Sequence, residues 1–162
     1  MLYNVPSRTG LDLEPELVAK LVETIDAVVG LKESTDSLER IRDVTRIPGL
    51  AVFSGEDRRI ADFMQFGAKG AINVVGNLVP NEVAELIEAA KPGGNPYRAS
   101  ELAEHIEPLI AGLFIEVNPV PLKTALGHLK RCSAEVRLPL ARLEAEHAAQ
   151  LELTLRAQGV LG

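Results

Sequence analysis

The hydrophobic pattern of the first 94 residues changes period at regular intervals. Short, nearly continuous apolar runs ("MLYNVP", "DAVVGL", "GLAVFSG" and "KGAINVV") alternate with stretches in which apolar residues recur every three or four positions. In "LDLEPELVAKLVE" the recurring residues are Leu13, Leu17, Val18, Leu21 and Val22, a helical spacing. Pro15 falls in the first turn of that stretch, where a missing N–H costs nothing. In "DSLERIRDVTRI" Leu38, Ile41, Val44 and Thr45 share one face. "RRIADFMQFGA" closes at Gly67, a residue suited to a helix C-cap, and "VPNEVAELIEAA" runs to the break at "KPGGNP". Strands alternating with helices in this way predict four β/α units on a parallel sheet. Strands so uniformly apolar are expected where both faces of the sheet are covered.

After "KPGGNP" the alternation stops. "YRASELAEHIEPLIAGLFIE", "PVPLKTALGHLKRC" and "PLARLEAEHAAQLELTLRAQGV" all read as helices without intervening strands, the last through Leu140, Leu143, Ala148, Leu151 and Leu155. The chain therefore divides into a β/α part, residues 1–94, and a helical C-terminal extension, residues 95–162.

Composition narrows the function classes. The 162 residues are 46% hydrophobic and 25% charged, which is globular rather than disordered. A net charge of −6 argues against a nucleic-acid partner and against an anionic membrane surface. Cys132 is the only cysteine, so no internal disulfide forms, and a cytoplasmic location is expected. No apolar run reaches the roughly 18 residues of a membrane span, and "MLYNVPSRTG" lacks the apolar segment of a signal peptide. His105, His128 and His147 are far apart in sequence and do not suggest a metal site. The glycines of "GAKGAINVVGN" do not form a phosphate-binding loop.

In parallel α/β folds functional residues gather beyond the C-terminal ends of the strands. Tyr3 with Arg8, Lys32, the "SGED" turn at 54–57 and the stretch from Ile72 to Asn77 occupy such positions. A lysine at a strand end in an apolar mouth is desolvated, which disfavours the ammonium and leaves a neutral amine able to form a Schiff base. Tyr3 then offers a phenol as proton shuttle, and Arg8 a fork for a carboxylate. The same spacing also fits a solvated Lys32–Glu33 pair, a core ring at Tyr3 and a loop charge at Arg8.

"LYNVPSRTG", "GLKESTDSLERI", "FSGEDRRIADFMQFGAKGAINVVGN", "EVNPVPLKTAL" and the late "RLPL" together resemble the dihydrodipicolinate synthase family of pyruvate-dependent class I aldolases. Y-N-x-P followed by G-x-K-E carries the superfamily, and "SRTG" favours this branch over the sialic-acid and sugar-acid lyases. The resemblance implies the C-terminal half of a (β/α)8 TIM barrel, four β/α units followed by an all-helical extension. It implies condensation of pyruvate with L-aspartate semialdehyde through a lysine Schiff base, on the route to diaminopimelate and lysine. Lys32 would be the Schiff-base lysine and Tyr3 the tyrosine of the proton relay. Arg8 would hold a carboxylate of the semialdehyde, Ile72 would contact pyruvate through its backbone, and Gly55 would shape the pocket. No cofactor and no metal are implied.

The match begins only at the family's fifth strand. The Gly-Thr-Thr-Gly-Glu loop, whose threonine relays protons, and the second tyrosine of the relay have no counterpart in this sequence. Four barrel strands leave open edges and an apolar interior, so a homo-oligomer is expected. Two further readings stay open: a relative that binds an oxo-acid or a partner without turnover, and a truncated aldolase with no separate function.

Overall fold

Four parallel strands form the sheet of the computed structural model, which describes residues 1–162. β1 (Leu2–Asn4), β2 (Gly30–Glu33), β3 (Ala51–Ser54) and β4 (Gly70–Ala71) lie side by side in chain order. Helices follow each strand: α1 (Pro6–Thr9) and α2 (Pro15–Thr24), then α3 (Leu38–Thr45), α4 (Ile60–Gln65) and α5 (Pro80–Ala90). This is the expected series of four β/α units, with shorter elements. "SRTG", expected as a turn, is a turn of helix instead: it starts at Pro6 and ends at Gly10, whose φ of 68° favours glycine. Pro15 opens α2 as the pattern predicted, and Ser37 caps α3 by accepting the N–H of Arg40 at 3.3 Å.

Alternation along the strands sends successive side chains to opposite faces of the sheet. Leu31 and Val52 point to one face and are buried, as are Val18, Ile41, Val44, Ile60 and Phe63 on the covering helices. Tyr3, Lys32, Ala51 and Phe53 belong to the other face, which lies partly open; Tyr3 is 48% exposed. The strands were expected to be covered on both faces. Here only the helix side is covered, so the second apolar face is a surface.

By contact pattern the chain forms two compact units, residues 1–73 with 85–99 and residues 74–84 with 100–162. The second contains the body of α6 (Pro96–Leu113) with α7 (Val120–His128) and α8 (Ala145–Ala157). Ile106, Leu109, Ile110 and Leu113 of α6 are buried, as are Val120 and Ala125 of α7 and Leu151 and Leu155 of α8. A Cβ added at Gly112 would sit 3.3 Å from the Leu151 side chain, so α6 and α8 approach closely there. The last helix was expected from Pro139 onward but starts only at Ala145. Leu138 is 92% exposed and neither Leu140 nor Leu143 is buried, so their helical spacing has no core to pack against. No helix is long and apolar enough to cross a membrane.

A carboxylate–imidazole pair ties the start of α8 to the segment after α6. Glu116 accepts from His147 Nδ1 at 2.8 Å and from the backbone N–H of Glu144 at 3.0 Å. The Glu116 hydrogen bond raises the His147 imidazole above its usual value of 6.5 and in turn holds the Glu116 carboxyl below 4.5. A raised histidine contributes stability that is complete below 6.5 and is lost as pH rises through the folded value. A lowered carboxyl contributes stability present above 4.5 and lost as pH falls through its folded value. Thermal unfolding of the wild type and of His147→Gln, followed from pH 4 to 9, should therefore show their difference in midpoint flat across the interval between those two values. It should shrink as pH climbs above 6.5 and through the raised His147 value. A difference that grows as pH rises above 6.5 would rule out the pair as its source.

Candidate active site

The site is built on one row of residues across the sheet. Tyr3, Lys32, Phe53 and Gly70 are register partners on β1, β2, β3 and β4. Tyr3 and Lys32 are far apart in sequence, yet strand pairing makes them neighbours on the open face. Lys32 Nζ lies 4.2 Å above the centre of the Tyr3 ring, a cation–π contact. Phe53 stands at the same level on the next strand, so Lys32 has an aromatic register partner on each side.

Gly55 follows β3 and donates its N–H to the carbonyl of Glu33 at 2.7 Å. A Cβ at this position would lie 2.8 Å from Lys32 Cε, 3.0 Å from the Glu33 carbonyl and 2.1 Å from Ser34 Oγ. Glycine is required here by close approach rather than by backbone conformation. Ile72, the residue after β4, donates its N–H to Ser54 O at 2.8 Å and is 41% exposed. Arg8 stands in α1, just past the end of β1, with an exposed side chain. Lys32 thus meets Tyr3 on one strand and Gly55 after another, whereas Ile72 and Arg8 share the same end of the sheet.

The opposite face holds residues that sequence reasoning did not single out. Glu33 is fully buried and accepts from Arg40 Nε at 2.9 Å, from Asn4 Nδ2 at 2.9 Å and from the Thr35 N–H at 3.1 Å. Asn4 also donates to Asp12 at 2.8 Å and accepts the Leu13 N–H at 3.0 Å, and Arg40 pairs with Asp12 at 3.2 Å. The reading of Lys32 and Glu33 as a solvated surface pair is therefore overturned for Glu33. The signal was available in strand parity: Glu33 is two residues from Leu31, on the covered side, and Arg40 begins one turn into the next helix. A second clamp, the Arg59–Asp36 ion pair, links the loops after β2 and β3, and Arg59 also holds Asp62 at 3.1 Å. No group of three or more histidine, cysteine or acidic side chains is placed to hold a metal ion.

The family model for dihydrodipicolinate synthetases matches residues 1–158. The chain belongs to the dihydrodipicolinate synthetase family. Among curated members, the 4-hydroxy-tetrahydrodipicolinate synthase of Syntrophus aciditrophicus is 38% identical over 162 residues, covering 99% of this chain and 55% of the relative. Among solved members, the dihydrodipicolinate synthase of Aquifex aeolicus superposes with a TM-score of 0.92 at 38% identity, over 98% of this chain and 54% of its own. That of Acinetobacter baumannii, solved in complex with pyruvate, gives 0.91 at 33% identity over 99% and 55%. The chain therefore spans about half the length of the family members it matches. Its sheet and helices correspond to the C-terminal half of the dihydrodipicolinate synthase TIM barrel and the helical part that follows.

Proposed function

We propose that this chain carries the Schiff-base half of a pyruvate-dependent aldolase site, with Lys32 as the nucleophile. The observation that carries the reading is the placement of Lys32 at a strand end, its amine over Tyr3 and its stem against Gly55. Family membership and a pyruvate-bound relative support the substrate class.

In this reading the neutral Lys32 amine adds to C2 of pyruvate, and the carbonyl electron pair moves to oxygen. The resulting hydroxyl leaves as water when the nitrogen lone pair forms the C=N bond. Loss of a C3 proton gives the enamine, whose C3 attacks the aldehyde carbon of aspartate semialdehyde. Tyr3 handles the protons. Arg8 holds the carboxylate of the semialdehyde, and the Ile72 backbone lies along the pyruvate. The lysine nucleophile and one tyrosine of the relay belong to this chain, while the threonine and second tyrosine of the family's relay have no counterpart in these 162 residues.

Pyruvate with borohydride tests the first step: hydride adds to the imine carbon and leaves a stable secondary amine. Intact mass and peptide mapping should find one adduct, on Lys32, and none in Lys32→Met. Exchange of the pyruvate methyl protons in deuterated water would report the enamine. A folded protein that gives no adduct at Lys32 would remove the aldolase reading.

A further inference from the structure

We infer that the Ser34 hydroxyl is a positioning group for the imine nitrogen of Lys32, an inference that rests on the Schiff-base reading above. Ser34 follows β2 two residues after Lys32, so it returns to the same side of the sheet. Its backbone N–H is held by the Asn4 carbonyl at 3.0 Å, which fixes the residue beside β1. Its Oγ is buried and has no hydrogen-bond partner. Serine Oγ and Lys32 Cε lie 2.1 Å and 2.8 Å from one point, the position of the Cβ that Gly55 lacks, which puts them within about 5 Å of each other.

A buried hydroxyl without a partner is destabilising, so a state in which it gains one is favoured. In the resting protein the Lys32 amine lies over the Tyr3 ring. Imine formation replaces that ammonium, with three N–H bonds, by an iminium with a single N–H in the plane of the new double bond. One acceptor suffices for it, and Ser34 Oγ stands within about 5 Å of the Lys32 stem. The hydroxyl accepts that N–H and stabilises the imine over the free amine. No proton or electron pair is transferred to Ser34 in this step.

The experiment compares wild type, Ser34→Ala and Ser34→Thr by borohydride trapping across a series of pyruvate concentrations, with thermal unfolding run in parallel. Ser34→Ala should raise the pyruvate concentration for half-maximal trapping about tenfold, the size of one hydrogen bond to a charged group. The trapping rate at saturation should stay as in the wild type, and Ser34→Thr should restore the half-maximal concentration. The unfolding midpoint of Ser34→Ala should equal or exceed that of the wild type, because an unpaired polar atom has been removed. An unchanged half-maximal concentration in Ser34→Ala overturns the inference and leaves the Schiff-base reading intact. A lowered unfolding midpoint with a reduced saturating rate overturns it too, since that is the behaviour of a structural residue. No adduct in the wild type overturns both readings together.

Discussion

Arg40→Met is expected to destabilise the β/α part by about 3–5 kcal/mol, because it strands a buried carboxylate. Glu33 has no exposed surface, and Arg40 is its only cationic partner, at 2.9 Å. Without the guanidinium, Glu33 keeps the Asn4 amide and the Thr35 N–H, which are too few to hold a full charge out of water. Methionine replaces much of the arginine stem, so the loss reports the charge pair rather than the packing. Set against a total stability of about 5–15 kcal/mol for an ordinary domain, the change is a large fraction. Urea unfolding would measure it. The double variant Glu33→Gln with Arg40→Met should recover a substantial part, since it removes the orphaned charge as well. A single variant within about 1 kcal/mol of wild type would show that water reaches Glu33 and that the network is not a buried one.

Gly55→Ala is expected to slow adduct formation at Lys32 by about ten- to a hundredfold while leaving the chain folded. The added methyl group meets three atoms closer than a Cβ tolerates. One of them, the Glu33 carbonyl, is already bonded to the Gly55 N–H and cannot retreat. Relief must come from the two mobile partners, Ser34 Oγ and the Lys32 stem, and moving the stem re-aims the amine. The accompanying loss of stability should be about 1–3 kcal/mol, the usual scale of overpacking. Borohydride trapping of both proteins at matched pyruvate, with circular dichroism to confirm the fold, would check it. Equal trapping rates would mean that the lysine stem has slack that the geometry does not suggest.

The architecture was legible in the sequence because apolar period is a physical signature: runs covered by helices and stripes at helical spacing alternate without ambiguity from β1 to α5. Lys32 was legible for the same reason, as a charge at the end of an apolar run. β4 was harder to delimit, because "GAINVV" is apolar but for Asn73 while only Gly70–Ala71 pairs with a neighbour. The last helix was read too long because leucine spacing alone set its start, and Leu140 and Leu143 are not buried, so no packing favours helix there. Glu33, Asn4 and Arg40 stayed hidden because a single sequence prints charges without their environment. A buried ion network and a solvated surface read alike until strand parity is applied.

The pairing of β1 with β2 has a consequence for how reliably the amine is displayed. Along β2 the residues alternate between a buried carboxylate, Glu33, and Lys32, and along β1 between Asn4 and Tyr3. A slip of one residue would swap the faces, burying an amine among helices and presenting an acid to the mouth. Such a misthreaded chain would leave Arg40 without its carboxylate and Asn4 without its acceptor. The hidden side of the sheet thus acts as a checksum for the visible one: only the alignment that completes the polar network sets Lys32 beside Tyr3.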